Sequence, residues 1–300
     1  MRILASDGMD KSAVAALTAK GHEVVEQFYE ADELGEQLKS YDVLVVRSAT
    51  KVRVPVIDAA KQGGRLKLII RGGVGVDNID VKYAEENGIT VRNTPRASSD
   101  TVAELALAHM FSVARFISIA GHTMREGKWE KKAYKGIELA GRTVGIIGYG
   151  RIGQALGRRA QALGMKVLAY DLYKNPELEN ENMKYAELDE LLASSDFVSL
   201  HTPSLDGKPL INAETIAKMK DGAILINTSR GGNVDEAALL DALNSGKLRG
   251  AGLDVFAEEP SKNPELYSHP LVSCTPHIGA STGEAQKRIG AEIVDIIENF

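Results

Sequence analysis

The sequence predicts an α/β protein built as two doubly wound parallel-sheet domains, and three observations carry that prediction. Apolar runs of strand length alternate with amphipathic stretches along the whole chain, the pattern of βα units that cover both faces of a parallel sheet. At 300 residues, with 44% apolar content, the chain is too long for one small core and can fill two of ordinary size. A long stretch from Asp100, DTVAELALAHMFSVARFISIA, has small or apolar residues on most faces, so it is expected to be a buried helix marking the first domain boundary.

Taken in order, the strand candidates of the first hundred residues are RILAS (2–6), HEVVEQ (22–27), DVLVVR (42–47), LKLIIR (66–71) and ITVRN (89–93), each followed by turn residues or a helical pattern. A second series starts at Thr143 with TVGIIG, KVLAYD, FVSLHTP, AILINTSR, AGLDVF and LVSCTPH, six strands for a complete sheet. The last helical stretch, GEAQKRIGAEIVDIIENF, follows that sheet and is expected to return to the first domain. The expected division is therefore 1–98 with 282–300, a discontinuous first domain, and 99–281, a second doubly wound domain inserted in it.

Composition limits the partners. Net charge is −5, with 36 basic and 41 acidic residues interspersed, so no polyelectrolyte face is implied and nucleic acid is not an expected partner. The single cysteine, Cys274, excludes an intrachain disulfide framework and a thiolate metal cluster, and the six histidines show no paired metal-ligand spacing; no metal is expected. The opening MRILASDGMDKS enters a strand pattern at once and lacks the layout of a signal peptide. No apolar run approaches about 18 residues, so a cytoplasmic protein without a membrane partner is expected.

The first chemical signal is Gly148, Gly150 and Gly153, a G-x-G-x-x-G that directly follows a strand and opens a helix, with Asp171 closing the next strand. The glycines allow a tight turn, close approach of a pyrophosphate to backbone and tight packing of helix on strand, while the helix N-terminus stabilises phosphate charge. Asp171 would accept hydrogen bonds from ribose hydroxyls and repel a 2′-phosphate, which favours NAD over NADP. Parallel sheets of this kind bind ligands beyond the carboxyl ends of their strands. Those ends read Gly148, Asp171, Thr202-Pro203, Arg230, Asp254 and His277.

Arg230 can grip a carboxylate with two parallel hydrogen bonds, and Gly231 and Gly232 let the chain leave at once. Hydride transfer to a carbonyl also needs a proton donor, for which His277 is the candidate. A nearby carboxylate would hold its imidazole in one tautomer and favour the charged form; DVFAEEP offers Glu258 and Glu259, and spacing does not choose between them. His22, His109, His122, His201 and His269 lie in no such constellation and are read as structural. In the first domain Arg47 and Arg71 end neighbouring strand candidates, so both should project from the ligand-facing edge and take an anionic group beyond the carboxylate, such as phosphate.

The chain resembles the D-isomer-specific 2-hydroxyacid dehydrogenases over nearly its whole length, in VVRSATKV (45–52), RGGVGVDNID (71–80), EGKWEKKAYKGIELAGRTVGIIGYGRIG (126–153), NTSRGGNVDE (227–236), AGLDVFAEEP (251–260) and CTPHIGAST (274–282). The resemblance implies that 99–281 is a Rossmann dinucleotide-binding domain inserted in a flavodoxin-like substrate-binding domain of 1–98 and 282–300, with Arg230 as the catalytic arginine, Glu259 as the acid and His277 as the general acid/base. It further implies cofactor contacts at Arg151, Ile152, Asp171, Thr202, Thr228, Asp254 and Gly279, substrate contacts by the segment with Gly73 and Val74, an added cation from Lys131 across a domain or dimer interface, and a homodimer formed largely by the nucleotide domains. Val74 stands where some members carry a threonine against the cofactor. The sequence stops at Phe300, so the serine-binding regulatory domain of longer members, and feedback inhibition through it, are not expected. The implied reaction is NAD-dependent oxidation of a 2-hydroxyacid, with 3-phosphoglycerate the expected substrate; reduction of glyoxylate or hydroxypyruvate, or a non-catalytic NAD-sensing corepressor, are the alternatives.

Overall fold

The computed structural model describes residues 1–204 and 207–300. The chain divides into two compact units, Met1–Ser98 with Ala280–Phe300, and Ser99–Gly279. The first unit is a five-stranded parallel sheet in the order β2-β1-β3-β4-β5, the flavodoxin-type order. Its elements are β1 (Arg2–Ala5), α1 (Lys11–Ala19), β2 (Glu23–Glu26), α2 (Ala31–Leu38), β3 (Val43–Val46), α3 (Val54–Gln62), β4 (Leu68–Arg71), α4 (Val81–Glu86) and β5 (Thr90–Asn93). Every residue of β3 is apolar because both sheet faces are covered. Leu44 and Val46 face the core with Leu34, Leu38 and Ile57, whereas Val43 and Val45 face the core with Leu17.

The second unit begins with α5 (Ser99–Ala114) and α6 (Ile117–Arg125). It continues through β6 (Thr143–Ile147), α7 (Arg151–Ala162), β7 (Lys166–Tyr170), β8 (Met183–Tyr185), α8 (Leu188–Ser194), β9 (Phe197–Leu200), α9 (Ala213–Lys218), β10 (Ala223–Asn227), α10 (Glu236–Asn244), β11 (Leu248–Leu253), α11 (Pro264–Tyr267) and β12 (Val272–Cys274). These strands form a seven-stranded parallel sheet ordered β12-β11-β10-β9-β6-β7-β8, whose direction of winding reverses between β6 and β9. Gly250 and Gly252 of β11 let α5 lie close on the sheet, since a Cβ at either would fall 2.5 Å from Val113 Cγ1 or His109 Cβ respectively.

Finally α12 (Gly283–Glu298) belongs to the first unit, where Ile289, Ile293 and Ile297 bury one face against the sheet core of Ile3, Val43 and Ile70. Each buried isoleucine stabilises this docking by up to roughly 1.5–3 kcal/mol. Residues 280 and 281 fall with this unit rather than with the second, because the Ala280 carbonyl accepts a hydrogen bond from Gln286 Nε2 of α12 at 2.8 Å.

Three expectations need correction. The sheet has a seventh strand, β8, whose three residues include one buried side chain, Met183, too short for a periodic signal. The stretch from Asp100 is two helices bent by 65°, broken at Phe116, which takes the left-handed φ of 57°. Only α5 is core; α6 leaves Ile117 and Met124 more than half exposed. No single helix among the described residues is long and apolar enough to cross a membrane, and no group of three or more His, Cys, Asp or Glu among them is placed to hold a metal.

Candidate active site

The reversal between β6 and β9 is where a doubly wound sheet opens a crevice, and the glycine turn lies there. Gly148 has φ 89°, and a Cβ on it would fall 2.8 Å from the backbone of His201 at the end of β9, so only glycine fits. At Gly153 a Cβ would sit 2.3 Å from the Gly148 carbonyl oxygen; its absence lets α7 pack against the turn it leaves. Gly150, by contrast, faces open space, and α7 starts at Arg151 without a side-chain cap, which leaves its first-turn N–H groups for a ligand. Ile152 follows on α7 and packs against the core beneath the turn. Asp171 is drawn into the same turn, its Oδ2 accepting from Tyr149 N at 2.7 Å and its Oδ1 from Tyr173 N at 2.9 Å.

The next strand ends are braced by amides that the sequence did not single out. Asn227, at the end of β10, donates from Nδ2 to the Arg230 carbonyl at 2.9 Å and accepts from Ser229 N and Oγ. Asn233, fully buried, donates to the Thr202 and Pro203 carbonyls and to Thr202 Oγ1 at 3.1–3.3 Å, tying the β9 loop to the turn after Arg230. Buried polar atoms remain without a partner at these strand ends: Thr228 Oγ1, Asn233 Oδ1 and His201 Nδ1. Orphaned polar atoms beside an uncapped helix start and an open glycine fit a polar dinucleotide. Burial pushes the imidazole of His201 down to about 4, so it is neutral.

Arg230 is half-buried in extended backbone, its Nη1 donating to the Ser229 carbonyl at 2.6 Å. A Cβ at Gly231 would overlap the Phe256 carbonyl at 1.9 Å, so the chain passes the segment after β11 only as glycine. On that segment Glu259 accepts from Phe256 N at 3.2 Å and, through Oε2, bonds Nδ1 of His277 at 2.7 Å. Glu258 pairs instead with Lys262. Burial alone would raise the Glu259 pKa, but the hydrogen bond and charge of His277, the Phe256 amide and the Arg230 charge outweigh it and hold the carboxyl below its ordinary range.

His277 has φ 54°, a conformation uncommon outside glycine, and its amide donates to the Asp254 carbonyl at 2.8 Å. The Asp254 carboxylate is itself buried. It accepts from Thr275 Oγ1 at 2.6 Å and from the Ile278 and Gly279 amides at 2.8 Å each. Burial raises its pKa, and these three donors oppose the rise. Asp254 and Gly279 are thus bonded to each other.

In the first unit, Arg47 directly follows β3 and Arg71 ends β4, and Val46 pairs with Arg71 across the sheet. Asp7 fixes the backbone beside Arg47, with Oδ2 accepting from Arg47 N at 2.6 Å and Thr50 N at 3.2 Å, while Asn78 Nδ2 donates to the carbonyls of Arg47 and Thr50. Arg71 Nη1 bonds the Gly72 carbonyl at 3.1 Å and occupies the space where a Cβ of Gly73, φ 146°, would lie. Val74 is exposed at 38%, and its carbonyl accepts from Asn93 Nδ2. Lys131 lies exposed in the turn after α6, in the second unit.

A phosphate-ready glycine turn at the switch point of a parallel sheet, with an imidazole–carboxylate pair and an arginine on the same edge, defines a dinucleotide-dependent oxidoreductase. The chain belongs to the D-isomer specific 2-hydroxyacid dehydrogenase family, whose NAD-binding domain matches residues 107–279. A hydroxypyruvate reductase of Thermotoga maritima is 50% identical over 301 residues, covering 99% of this chain and 97% of that protein. A D-3-phosphoglycerate dehydrogenase of Methanocaldococcus jannaschii is 45% identical over 99% of this chain, which spans only 57% of that protein. The solved D-lactate dehydrogenase of Aquifex aeolicus, complexed with NAD and lactic acid, superposes with a TM-score of 0.85 at 31% identity over 99% of this chain and 94% of its own. The chain is an NAD-dependent D-2-hydroxyacid dehydrogenase.

Proposed function

We propose that the enzyme oxidises D-3-phosphoglycerate to 3-phosphohydroxypyruvate, the entry to serine synthesis. The observation that carries this reading is the pair of arginines, Arg47 and Arg71, at the carboxyl ends of two directly paired strands. Two cations on one sheet edge suit a substrate with an anionic group besides its carboxylate, and in this reading Gly73, Val74 and Lys131 complete the substrate contacts. Hydroxypyruvate reduction is the second reading, favoured by the relative matched along nearly the full length of both chains.

The chemistry is the same in both. NAD supplies the hydride acceptor when bound, held by Gly148, Gly150, Arg151, Ile152, Gly153, Asp171, Thr202, Thr228, Asp254 and Gly279. Arg230 orients the substrate carboxylate. Because His277 Nδ1 is bonded to Glu259, Nε2 is the nitrogen that exchanges a proton with the substrate. In oxidation the neutral ring takes the proton of the 2-hydroxyl as its carbon loses hydride; in reduction the imidazolium returns it to the forming alkoxide. Glu259 keeps the ring oriented and stabilises its charge. A catalytic role, rather than a corepressor's, is supported by this pair, since a sensor has no need of a proton donor. The reading extends to a homodimer of the cytoplasm, supported by the family and by the single cysteine.

The test is kcat/KM for NADH-linked reduction of 3-phosphohydroxypyruvate and of hydroxypyruvate. A preference of tenfold or more for the phosphorylated acid is expected. The reverse preference would assign the enzyme to hydroxypyruvate reduction, and absence of turnover with any 2-oxoacid would return it to the sensor class.

A further inference from the structure

His109 lies on α5, only 2% exposed, in space that Gly252 of β11 leaves by lacking a side chain. Neither ring nitrogen is idle. Nδ1 stands 3.0 Å from Ser273 Oγ and Nε2 stands 3.0 Å from Thr275 Oγ1. The directions of these bonds follow from the far end. The Asp254 carboxylate only accepts, so the Thr275 hydroxyl, 2.6 Å from Oδ1, spends its one proton there and can only accept from His109. Nε2 therefore carries the proton, and Nδ1 accepts from the Ser273 hydroxyl. Burial holds the ring neutral, with its pKa down to about 4, which keeps this single tautomer through the working range.

The chain of donors thus runs Ser273 to His109 to Thr275 to Asp254. Asp254 is the residue that clamps the loop on which His277 rides: its carboxylate takes the Ile278 and Gly279 amides, and its carbonyl takes the amide of His277, whose backbone is held in the left-handed region. Such a conformation persists only where the surroundings over-determine it.

We infer that His109 is a positioning residue for the proton-transfer histidine: its Nε2–H fixes the Thr275 hydroxyl, which completes the set of donors that anchors the Asp254 clamp under His277. This rests on the reading of His277 as the proton carrier. His109 touches neither Glu259 nor His277 in this account and acts only through Thr275 and Asp254. A displacement of the reacting group by even a fraction of an ångström lowers the chemical step much more than substrate affinity.

The test uses the whole enzyme with saturating NADH and the better of the two 2-oxoacids above, measuring kcat, KM and Tm. His109→Leu should lower kcat about tenfold with KM changed less than about twofold. His109→Gln, which keeps a side-chain N–H donor, should recover most of that loss. Thr275→Val should lower kcat as much as His109→Leu, and combining the two should cost little more. Ser273→Ala removes the bond at Nδ1 alone, and should lower Tm while leaving kcat unchanged. If His109→Leu lowers Tm but not kcat, or Ser273→Ala lowers kcat equally, the histidine is merely core and the inference falls. Should His109→Leu not fold, the Gln and Thr275→Val variants decide by the same kcat criterion. A His277→Gln enzyme of full activity would defeat the reading of His277 and this inference with it; loss of activity there with an indifferent His109→Leu defeats the inference alone.

Discussion

The carboxyl edges of the two sheets use one device to different depths. In the first unit Asp7 and Asn78 bind the backbone of the loop after β3, so the chain at Arg47 is fixed through its backbone. In the second unit Asp254, Asn227 and Asn233 do the same for the loops carrying His277 and Arg230. There, however, the bracing groups are themselves nearly or fully buried, and His277 is additionally tied through its own ring to Glu259. The difference matches the tasks proposed for the two edges. An anion is attracted over several ångströms and tolerates a mobile partner, whereas a proton crosses only between atoms already at hydrogen-bond distance.

That contrast predicts unequal responses to mutation. Removing the proposed proton carrier by His277→Gln should lower kcat by roughly 10²- to 10⁴-fold on every 2-oxoacid, phosphorylated or not, with little change in KM. On the other edge, in the phosphate reading, Arg47→Ala or Arg71→Ala removes a charge-assisted bond of about 1.5–3 kcal/mol, so kcat/KM for the phosphorylated substrate should fall about 10- to 150-fold. Unphosphorylated hydroxypyruvate should lose much less. Equal losses on the two acids would dissolve the contrast and remove the phosphate assignment. A smaller change is expected at the nucleotide turn. Asp171→Ala should narrow the NAD-over-NADP preference by about tenfold, since the proposed charged hydrogen bond to ribose and the repulsion of a 2′-phosphate would vanish together; comparable use of both cofactors by the unmodified enzyme would contradict the role given to Asp171.

The strands and the candidate residues at their ends were readable because each signal is local. A parallel strand buried on both faces must be apolar along its covered length, as Leu68–Ile70 and Ala223–Ile226 are, and the first polar residue after that run, Arg71 or Asn227, marks the edge. Gly148, Gly150, Gly153 and Asp171 were legible for the same reason, a turn, a helix start and an acid within one βα unit. The bracing groups were not. His109 sits on an apolar helix and its partners Ser273 and Thr275 lie 164 and 166 residues away, so no spacing announces them. Asn227 and Asn233 could have been noticed as amides at the end of an otherwise apolar strand and in the turn after it, but polar residues are ordinary in turns. The break at Phe116 left no mark either, since apolar residues continue into α6 and leave its side chains exposed.

The gentlest test of the contrast alters charge without altering shape. Glu259→Gln keeps an oxygen to accept from His277 Nδ1, so the tautomer and the orientation of the ring should survive while the negative charge is lost. The Glu259 carboxyl is held below its ordinary range by His277, the Phe256 amide and Arg230 against its burial, so it is ionised wherever the enzyme works, and its charge favours the imidazolium. Reduction needs that charged ring, so its pH profile should move toward lower pH in the variant. Oxidation needs the neutral ring, and its rise should shift the same way. Below both transitions the reductive rates of the two enzymes should coincide, which separates charge from position. Stability carries the opposite sign of acid dependence. A carboxyl with a depressed folded pKa stabilises the fold above its unfolded pKa and loses that contribution as pH falls through the folded value, so the variant should be slightly less stable near neutrality and equal to the parent in acid. The effect should be small, because the pair is more than a third exposed. Unshifted pH profiles in Glu259→Gln would mean that the carboxylate only orients the ring, and the second edge would then owe its chemistry to position alone.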